Sequence, residues 1–274
     1  MSTFLLVHAP WIKLGLMIVL LASLAAAQRW APRRNDAGWS RWRVNLGMIA
    51  VATLVTRLLL PISAPVVAAW AQAQGIGLFN LLAWPPILAF WASLIGLDFA
   101  IYWQHRAFHA SPLLWRVHRV HHTDIGFDTS LGLRFHPFEI LPSALFKLAV
   151  ILALGVSPLA AVTYELVLLA MSLFTHADVA LPRRLDQWLS GLIVTPDWHR
   201  VHHSIHRAET DSNYGNWLSV WDRLFGTYIP QPRDGHVGMR IGLPAFRAPH
   251  QQTLAAALMQ PLLAATPVLE KDDA

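Results

Sequence analysis

The chain has 274 residues, of which 55% are hydrophobic and only 14% are charged, and its net charge is +5. A soluble domain has roughly a quarter of its residues charged, so this composition excludes an ordinary soluble protein and predicts one embedded in lipid. The basic residues are interleaved with apolar runs, which argues against nucleic-acid binding, and the absence of cysteine excludes disulfides, thiolate zinc sites and iron–sulfur clusters within this chain.

Five apolar runs predict membrane helices, since a crossing needs roughly 20 residues. The first, residues 12–27, is interpreted as an anchor rather than a signal peptide, because cleavage would leave the arginines that follow it on the translocated side. The other runs are residues 44–62, 79–103, 138–154 and 159–174. An uncharged turn joins the last two runs, which predicts a helical hairpin.

The arginines predict which side of the membrane each loop occupies. Seventeen of the 18 lie in residues 29–43, 106–134 and 183–247, which the positive-inside bias places in the cytosol. Residues 63–78 contain no Lys or Arg and are placed outside as a loop. The predicted fold class is therefore all-α, a polytopic transmembrane helical bundle with about four crossings and a cytosolic helical cap. A bacterial inner membrane is the expected location.

Histidine is concentrated in a few short segments, although the chain has only 14. His105 and His109 are spaced i, i+4 after the third apolar run, and a helix that continues past the membrane surface places Asp98 and Tyr102 on their face. Two further segments each contain the sequence His-Arg-Val-His-His, whose imidazoles at positions i, i+3 and i+4 point to one side of a helix. Their histidines are His118, His121, His122, His199, His202 and His203.

These eight imidazoles predict a metal centre in the cytosolic cap. Imidazole is a ligand for iron, copper, zinc and nickel, and eight imidazoles exceed what one ion can hold, so two neighbouring metal ions are the simplest count. Two irons in a dry site can activate dioxygen, whereas zinc has no redox chemistry and a structural zinc site needs only four ligands. The sequence therefore predicts a pair of redox-active metal ions, for which two irons with dioxygen as the co-substrate are the favoured choice.

Three further histidines lie near these groups. His176 follows the last apolar run and is a candidate for a ninth ligand nitrogen. His136 is a candidate for a residue that helps to orient the metal ligands without binding the metal, through a hydrogen bond with Glu139 or Arg134. His206 follows the last group by three residues and could join it, although the favoured interpretation is a residue outside the metal centre.

Several acidic residues are candidates for supporting the centre. Asp98, Asp124 and Asp197 lie close in sequence to the histidine groups, and a carboxylate that accepts a hydrogen bond from a ligand imidazole fixes its tautomer. Glu165 lies within an apolar run, where ionisable side chains usually have a function, and we expect it to pair with a buried base.

In these motifs the chain resembles the fatty acid hydroxylase superfamily, which includes sterol desaturases, methylsterol oxidases and alkylglycerol monooxygenase. The resemblance runs from about Ile87 to Pro230, roughly half of the chain. Each motif is weak alone, and their order along the chain makes the resemblance specific. The matching segments are residues 98–109, 115–122, 134–137, 199–203, 211–216 and 221–227.

The resemblance implies a helical membrane enzyme that binds two irons and uses dioxygen and external electrons to hydroxylate or desaturate a lipid, sterol-like or fatty acyl substrate. By position, the implied iron ligands are the eight clustered histidines and His176, although Asp178 stands where the family often has Asn. No His-Pro-Gly-Gly haem motif is present, so the electrons are expected from a separate ferredoxin or cytochrome with its reductase.

Two alternatives of a different class stay open, a histidine-rich membrane metal transporter and a haem-binding electron carrier without catalytic activity. A transporter lines a path with polar groups near the bilayer midplane, and a haem carrier presents isolated axial histidines from opposing helices. The expected organisation is N-terminal transmembrane helices at residues 1–78, a fatty acid hydroxylase-like catalytic domain at 79–230, and a C-terminal tail at 231–274 that ends in acidic residues.

Overall fold

Proline in the first turn begins most of the longer helices, because its fixed backbone angle suits a helix start and its missing N–H costs nothing there. The computed structural model describes residues 2–34 and 38–265, and the acidic end of the predicted tail lies outside the described residues. The α-helices in these ranges are α1 (Ser2–Trp30), α2 (Trp39–Leu59), α3 (Ala64–Ala73), α4 (Leu78–Leu81), α5 (Pro86–Ala110), α6 (Pro112–His122), α7 (Pro137–Leu154), α8 (Pro158–Thr175), α9 (Arg183–Ser190), α10 (Pro196–His202), α11 (Arg207–Thr210), α12 (Val220–Leu224), α13 (Gly235–Gly238) and α14 (Leu254–Met259).

Five helical segments of the described chain are long and apolar enough to cross a membrane. The described residues form no β-strand, so the predicted all-α, multi-pass bundle is confirmed. The five segments agree in number with the five predicted apolar runs and exceed by one the count of about four crossings given for the fold class. The segments are Val7–Trp30, Trp39–Leu81, Pro86–Ala110, Pro137–Leu154 and Pro158–Thr175.

The segment predicted as an outer loop, residues 63–78, is largely helical. α2 ends at Leu59, ahead of Pro61, because the residue before a proline disfavours the α conformation. α3 then packs against α7 and α8, and its Ala64 and Ala68 are buried in the main apolar core. A helix of ten residues is marginal alone, so this packing, which the local sequence does not reveal, stabilises it.

Two glycines allow the chain that follows α3 to lie against the turn of the α7–α8 hairpin. Gly77 and Gly155 have φ values of +98° and +73°, which favour glycine. A Cβ atom on Gly77 would lie 2.2 Å from the amide nitrogen of Gly155, so the two backbones touch where a side chain has no room. This contact holds the hairpin at the end of the bundle away from the histidines.

The histidine-bearing helices meet at the other end of the bundle. α5 continues to Ala110, past the end of its apolar run, and carries His105 and His109 in its last two turns. The side chains of Ser111 and Thr195 cap α6 and α10 by accepting hydrogen bonds from the backbone N–H three residues later, at 3.5 and 3.4 Å. α6 packs against α5 and α10 packs against α8, which brings the histidines of all four helix ends together.

Candidate metal centre

Nine histidines converge at this end of the bundle, and they are the nine that the sequence proposed as metal ligands. They form two clusters, and within each cluster the ring nitrogens that face a common centre lie within 4.8 Å of one another. All except His105 are buried. The five-histidine cluster consists of His105, His109, His118, His122 and His202, and the four-histidine cluster consists of His121, His176, His199 and His203.

Each His-Arg-Val-His-His repeat supplies both clusters. In α6, the first and last histidines belong to the five-histidine cluster and the middle one, His121, belongs to the four-histidine cluster. The second repeat does the reverse, because only its middle histidine, His202, belongs to the five-histidine cluster. The clusters adjoin, with the rings of His122 and His203 stacked at 4.6 Å between centroids.

Hydrogen bonds fix the tautomer of six of these rings. Backbone carbonyls and carboxylates only accept, so an Nδ1 atom beside one of them carries the proton and leaves the Nε2 lone pair free for a metal. Four Nδ1–H groups donate to backbone carbonyls: His105 to Tyr214 at 2.8 Å, His121 to Arg134 at 3.3 Å, His176 to Ser172 at 2.6 Å and His202 to Ser212 at 2.7 Å. Two donate to carboxylates: His109 to Asp211 at 3.0 Å and His118 to Glu139 at 2.7 Å.

The Nε2 atoms have the spacing of ligands to one ion. An imidazole nitrogen lies about 2.1 Å from a divalent ion such as zinc, so neighbouring ligand nitrogens are about 3.0 to 3.4 Å apart at right-angle or tetrahedral geometry. The Nε2 of His118 lies 3.1 Å from that of His105 and 3.2 Å from that of His122. Two facing lone pairs repel each other, and a cation that both can bind converts that repulsion into coordination.

The four-histidine cluster has the same spacing around one central ring. The Nε2 of His176 lies 3.1 Å from those of His121 and His203 and 3.2 Å from that of His199. In the other cluster, the buried Nε2 atoms of His109 and His202 have no hydrogen-bond partner among the described residues. The donor sets of both clusters therefore fit metal ions.

Burial keeps these imidazoles neutral, which is the form that binds a metal. Burial lowers the pKa of His118 and of His176 to about 3, far below the ordinary value of 6.5. The pKa values of the remaining cluster members outside the membrane-spanning segments are also lowered. Burial is the largest cause, and the neighbouring histidines are the next. These cluster members are His121, His122, His199, His202 and His203.

Two acids orient ligand rings, and the sequence did not assign either one to its histidine. Glu139 was named only as a partner of His136, yet its Oε1 accepts from His118 in a fully enclosed pair. Its second oxygen, Oε2, is buried and has no hydrogen-bond partner among the described residues. Asp211 bonds His109 across 102 positions, a separation at which spacing gives no signal.

His136 has a different role from the one expected. Its Nδ1 accepts from the backbone N–H of Phe138 at 3.1 Å, which caps α7, and its Nε2–H donates to the carbonyl of Leu258 at 3.1 Å. Both nitrogens of its ring therefore have partners other than the side chains of Glu139 and Arg134. His206 lies outside both clusters and pairs with Asp234 at 2.8 Å.

Asp98 and Tyr102 support the site through the chain that follows Tyr214 rather than through a histidine. Asp98 accepts hydrogen bonds from Trp221 Nε1 at 2.8 Å and from the backbone N–H of Leu218 at 3.1 Å. Tyr102 bonds the hydroxyl of Thr227 at 2.9 Å. These contacts hold in place the segment whose Tyr214 carbonyl orients His105.

Three further aspartates near the histidine groups bind arginines. Asp197 pairs with Arg33 at 2.6 Å and with the fully buried Arg200. Asp124 accepts from Arg41 at 2.7 Å and from Asn45 at 3.1 Å. Asp178 also accepts from Arg200 and from the backbone N–H of Arg34, which ties the segment after His176 to the segment after α1. Asp124 and Asp197, which were expected beside ligand imidazoles, thus bond arginines, and these contacts tie the histidine-bearing segments to the chain around α1 and α2.

A cavity of about 310 Å³ borders the clusters. This volume is within the roughly 300–1,000 Å³ that is usual for small-molecule sites. Its walls combine apolar side chains from the membrane-spanning helices with five cluster histidines, namely His105, His118, His121, His176 and His199. A lipid-like molecule in this space would have its hydrocarbon beside the metal centre.

Comparison with known proteins agrees with this architecture. A family model described as fatty acid hydroxylase matches residues 90–227, about half of the chain. The chain belongs to the fatty acid hydroxylase family. The resemblance inferred from the motifs between Ile87 and Pro230 is therefore confirmed, and the matched segment contains all nine cluster histidines.

Curated relatives of this fatty acid hydroxylase family member are lipid-modifying enzymes by name. It is 32% identical to alkylglycerol monooxygenase of Homo sapiens over 55% of this chain and 33% of the relative. It is 32% identical to ornithine lipid hydroxylase OlsE of Rhizobium tropici over 58% of this chain and 47% of the relative. It is 25% identical to cholesterol 25-hydroxylase of Homo sapiens over 49% of this chain and 48% of the relative. The chain thus spans about a third to a half of their lengths. A comparison with solved structures gives no significant match.

Proposed function

We propose that this protein is a membrane-bound di-iron oxygenase that uses dioxygen and external electrons to hydroxylate or desaturate a C–H bond of a lipid, sterol-like or fatty acyl substrate. The observation that carries the proposal is the convergence of nine imidazoles in two adjoining clusters beside an apolar cavity. The family, and relatives named as a monooxygenase of alkylglycerol and a hydroxylase of ornithine lipid, support this reaction class.

The proposed iron ligands are the nine cluster histidines, five for one ion and four for the other. Imidazole suits iron, copper, zinc and nickel, and iron is the choice that supplies redox chemistry with dioxygen when bound. Glu139 and Asp211 hold the protons on the Nδ1 atoms of His118 and His109, which keeps their Nε2 lone pairs directed at the metal. Burial of eight of the nine rings excludes bulk water from the ions.

We further propose that the centre lies on the cytosolic side of the membrane. The histidines lie in or next to the arginine-rich segments, and arginine-rich segments are usually cytosolic. A bacterial inner membrane is the proposed location. Residues 79–230 are proposed as the catalytic unit between the N-terminal helices and the C-terminal tail. A separate ferredoxin or cytochrome, with its reductase, is the proposed electron donor.

The cluster geometry favours this function over the two alternatives. A porphyrin needs its axial histidines on opposite faces of a wide ring, whereas the nitrogens of each cluster lie within 4.8 Å of one another. A transporter needs metal-binding groups along a path through the bilayer, whereas the clustered histidines gather at one end of the bundle.

Replacing one histidine from each cluster tests the proposal. His121→Ala and His202→Ala should each lower the iron content of the purified protein and abolish lipid oxidation, since each removes a ligand from a different ion. His206→Ala is the matched control, because His206 bonds Asp234 outside both clusters. Iron is measured by elemental mass spectrometry, and lipid extracts of expressing cells are searched for the gain of one oxygen atom or the loss of two hydrogen atoms. Full iron content and full product in both cluster variants would refute the ligand assignment.

A further inference from the structure

The cavity beside the metal centre continues into the membrane-spanning part of the bundle along two helices. On α7, the residues that line it are Glu139, Ile140, Ser143, Ala144 and Lys147. Their spacing places them on a single face of the helix. Because an α-helix rises 1.5 Å per residue, the backbone of this face extends about 12 Å along the helix axis from Glu139, the partner of His118, to Lys147.

The facing helix repeats this arrangement. On α8 and just beyond its end, the lining residues are Glu165, Leu168, Leu169, Ser172 and His176. They also share one face, and the backbone rises about 16 Å along the helix axis between Glu165 and His176, whose ring lies at the centre of the four-histidine cluster. The two helices therefore form a passage that is metal-binding at one end, mostly apolar in the middle and charged at the other end.

The charged end is an ion triad within the membrane-spanning segments. The Nζ atom of Lys147 lies 2.7 Å from Glu165 Oε1, and the Nζ atom of Lys13, from α1, lies 3.6 Å from Glu165 Oε2. All three side chains line the cavity. Two ammonium groups and one carboxylate leave a formal charge of +1, and the ammoniums together offer six N–H donors to a carboxylate with two oxygens.

Such a triad is poorly matched as a purely structural element. Charges in a membrane-spanning region are costly, and the surplus positive charge would be stabilised by one more anion. The side chains of Lys13, Lys147 and Glu165 are 44%, 15% and 20% exposed, so the charged end is also partly open at the side of the bundle. Apolar neighbours such as Leu14 and Phe146 are exposed there, which indicates a surface that faces lipid.

We propose that Lys13 and Lys147 bind the anionic head group of a single-chain lipid, a carboxylate or a phosphate, whose alkyl chain extends through the apolar passage to the histidine clusters. This proposal rests on the proposed function and narrows its substrate to an acidic amphiphile oxidised at a carbon remote from its head group. Lys13 lies outside the segment matched by the family model, so membership of the family does not by itself imply this recognition.

Ligand binding to the purified full-length protein in neutral detergent tests the head-group site without requiring turnover. Radiolabelled hexadecanoate, hexadecyl phosphate and hexadecanol share one alkyl chain, and their equilibrium binding is compared for the wild type, Lys147→Met, Lys13→Met and Glu165→Gln. We expect each methionine variant to bind the acidic probes about 10- to 100-fold more weakly, the range for loss of a charged hydrogen bond, and to bind hexadecanol unchanged. The tighter of the two acidic probes identifies the head group as a carboxylate or a phosphate.

The Glu165→Gln variant distinguishes ligand recognition from a structural triad. Removing the competing carboxylate should strengthen binding of the acidic probes, whereas a structural triad predicts weaker binding of all three probes in every variant. Lys147→Arg keeps the positive charge and should retain binding of the acidic probes, which controls for a variant that does not fold. Equal wild-type affinity for hexadecanol and the acidic probes, or unchanged acidic binding in Lys147→Met, would overturn the proposal.

Iron content measured on the same samples separates this proposal from the proposed function. The triad variants should keep the iron of the wild type, because none of their side chains is in a histidine cluster. Selective binding of the acidic probes by a wild type that binds no iron would support the head-group site and refute the oxygenase. A normal iron content with no selectivity for the acidic probes would support the oxygenase and refute the head-group site.

Discussion

Replacing Glu139 with glutamine should weaken metal binding by the five-histidine cluster about 10- to 100-fold, the range that is usual for residues that orient a ligand imidazole. At about 1.4 kcal/mol per tenfold, the expected loss is about 1.4 to 2.8 kcal/mol. Glu139 Oε1 lies 2.7 Å from His118 Nδ1, and the two side chains are only 6% and 4% exposed. Glutamine keeps an oxygen acceptor of similar shape, but a neutral amide is a weaker acceptor than the carboxylate that a metal-bound imidazole would face, since a charge-assisted hydrogen bond is about twice as strong as a neutral one.

The assay follows iron retention during dialysis against increasing chelator concentrations. With the two irons proposed above, we expect the iron of the five-histidine cluster to leave the Glu139→Gln variant at a chelator concentration about 10- to 100-fold lower than in the wild type, while the iron proposed for the four-histidine cluster stays. Asp234→Asn is the matched control, because it removes a carboxylate from the partly exposed pair with His206. If the Glu139 variant and the wild type lost iron along the same curve, the inferred role of this carboxylate would be refuted.

Three further predictions concern the scaffold, and each is measured by unfolding in detergent. Gly77→Ala should destabilise the fold more than Gly75→Ala, because both glycines have a positive φ but only a Cβ added at Gly77 would meet the backbone of Gly155. Equal losses of unfolding free energy in the two variants would contradict this. Asn45→Leu should cost about 1–3 kcal/mol, since it removes three buried side-chain hydrogen bonds, with Asp124, Ser130 and Arg134, and an unchanged midpoint would refute this. Burial raises the pKa of Asp124, but nearby basic groups lower it to a net value below 3.8, so its stabilisation is present above about pH 4 and is lost as the pH falls through the lowered folded value. Asp124→Asn should weaken this acid sensitivity, and an identical pH profile would exclude the ion pair as its cause.

The helical bundle could be predicted from the sequence because membrane helices depend on local properties. A run of apolar residues must satisfy its backbone hydrogen bonds within itself in lipid, so length and composition alone indicate the spans. The exception is α3, which was predicted as a loop. Its ten residues, Ala64–Ala73, are too few to cross alone, and their helix depends on packing against α7 and α8, which lie more than 60 positions later in the chain.

The contacts around the histidines were harder to predict than the histidines themselves. Asp98 and His136 were expected beside ligand imidazoles, but the structure gives them other partners, and Glu139 and Asp211 orient the rings. Four other rings donate to backbone carbonyls, for example His105 to Tyr214. Every residue has a carbonyl, so this kind of partner leaves no mark in a sequence.

The sequence by itself determined the apolar helices, the nine candidate ligand histidines and the family, because each of these follows from residue type and spacing along the chain. Only the tertiary structure decided that each His-Arg-Val-His-His repeat serves two clusters, and that Lys13, Lys147 and Glu165 from three helices form one charged end of the cavity. The physical reason is that helical periodicity fixes which residues share a face. The packing of distant helices against one another fixes what that face meets.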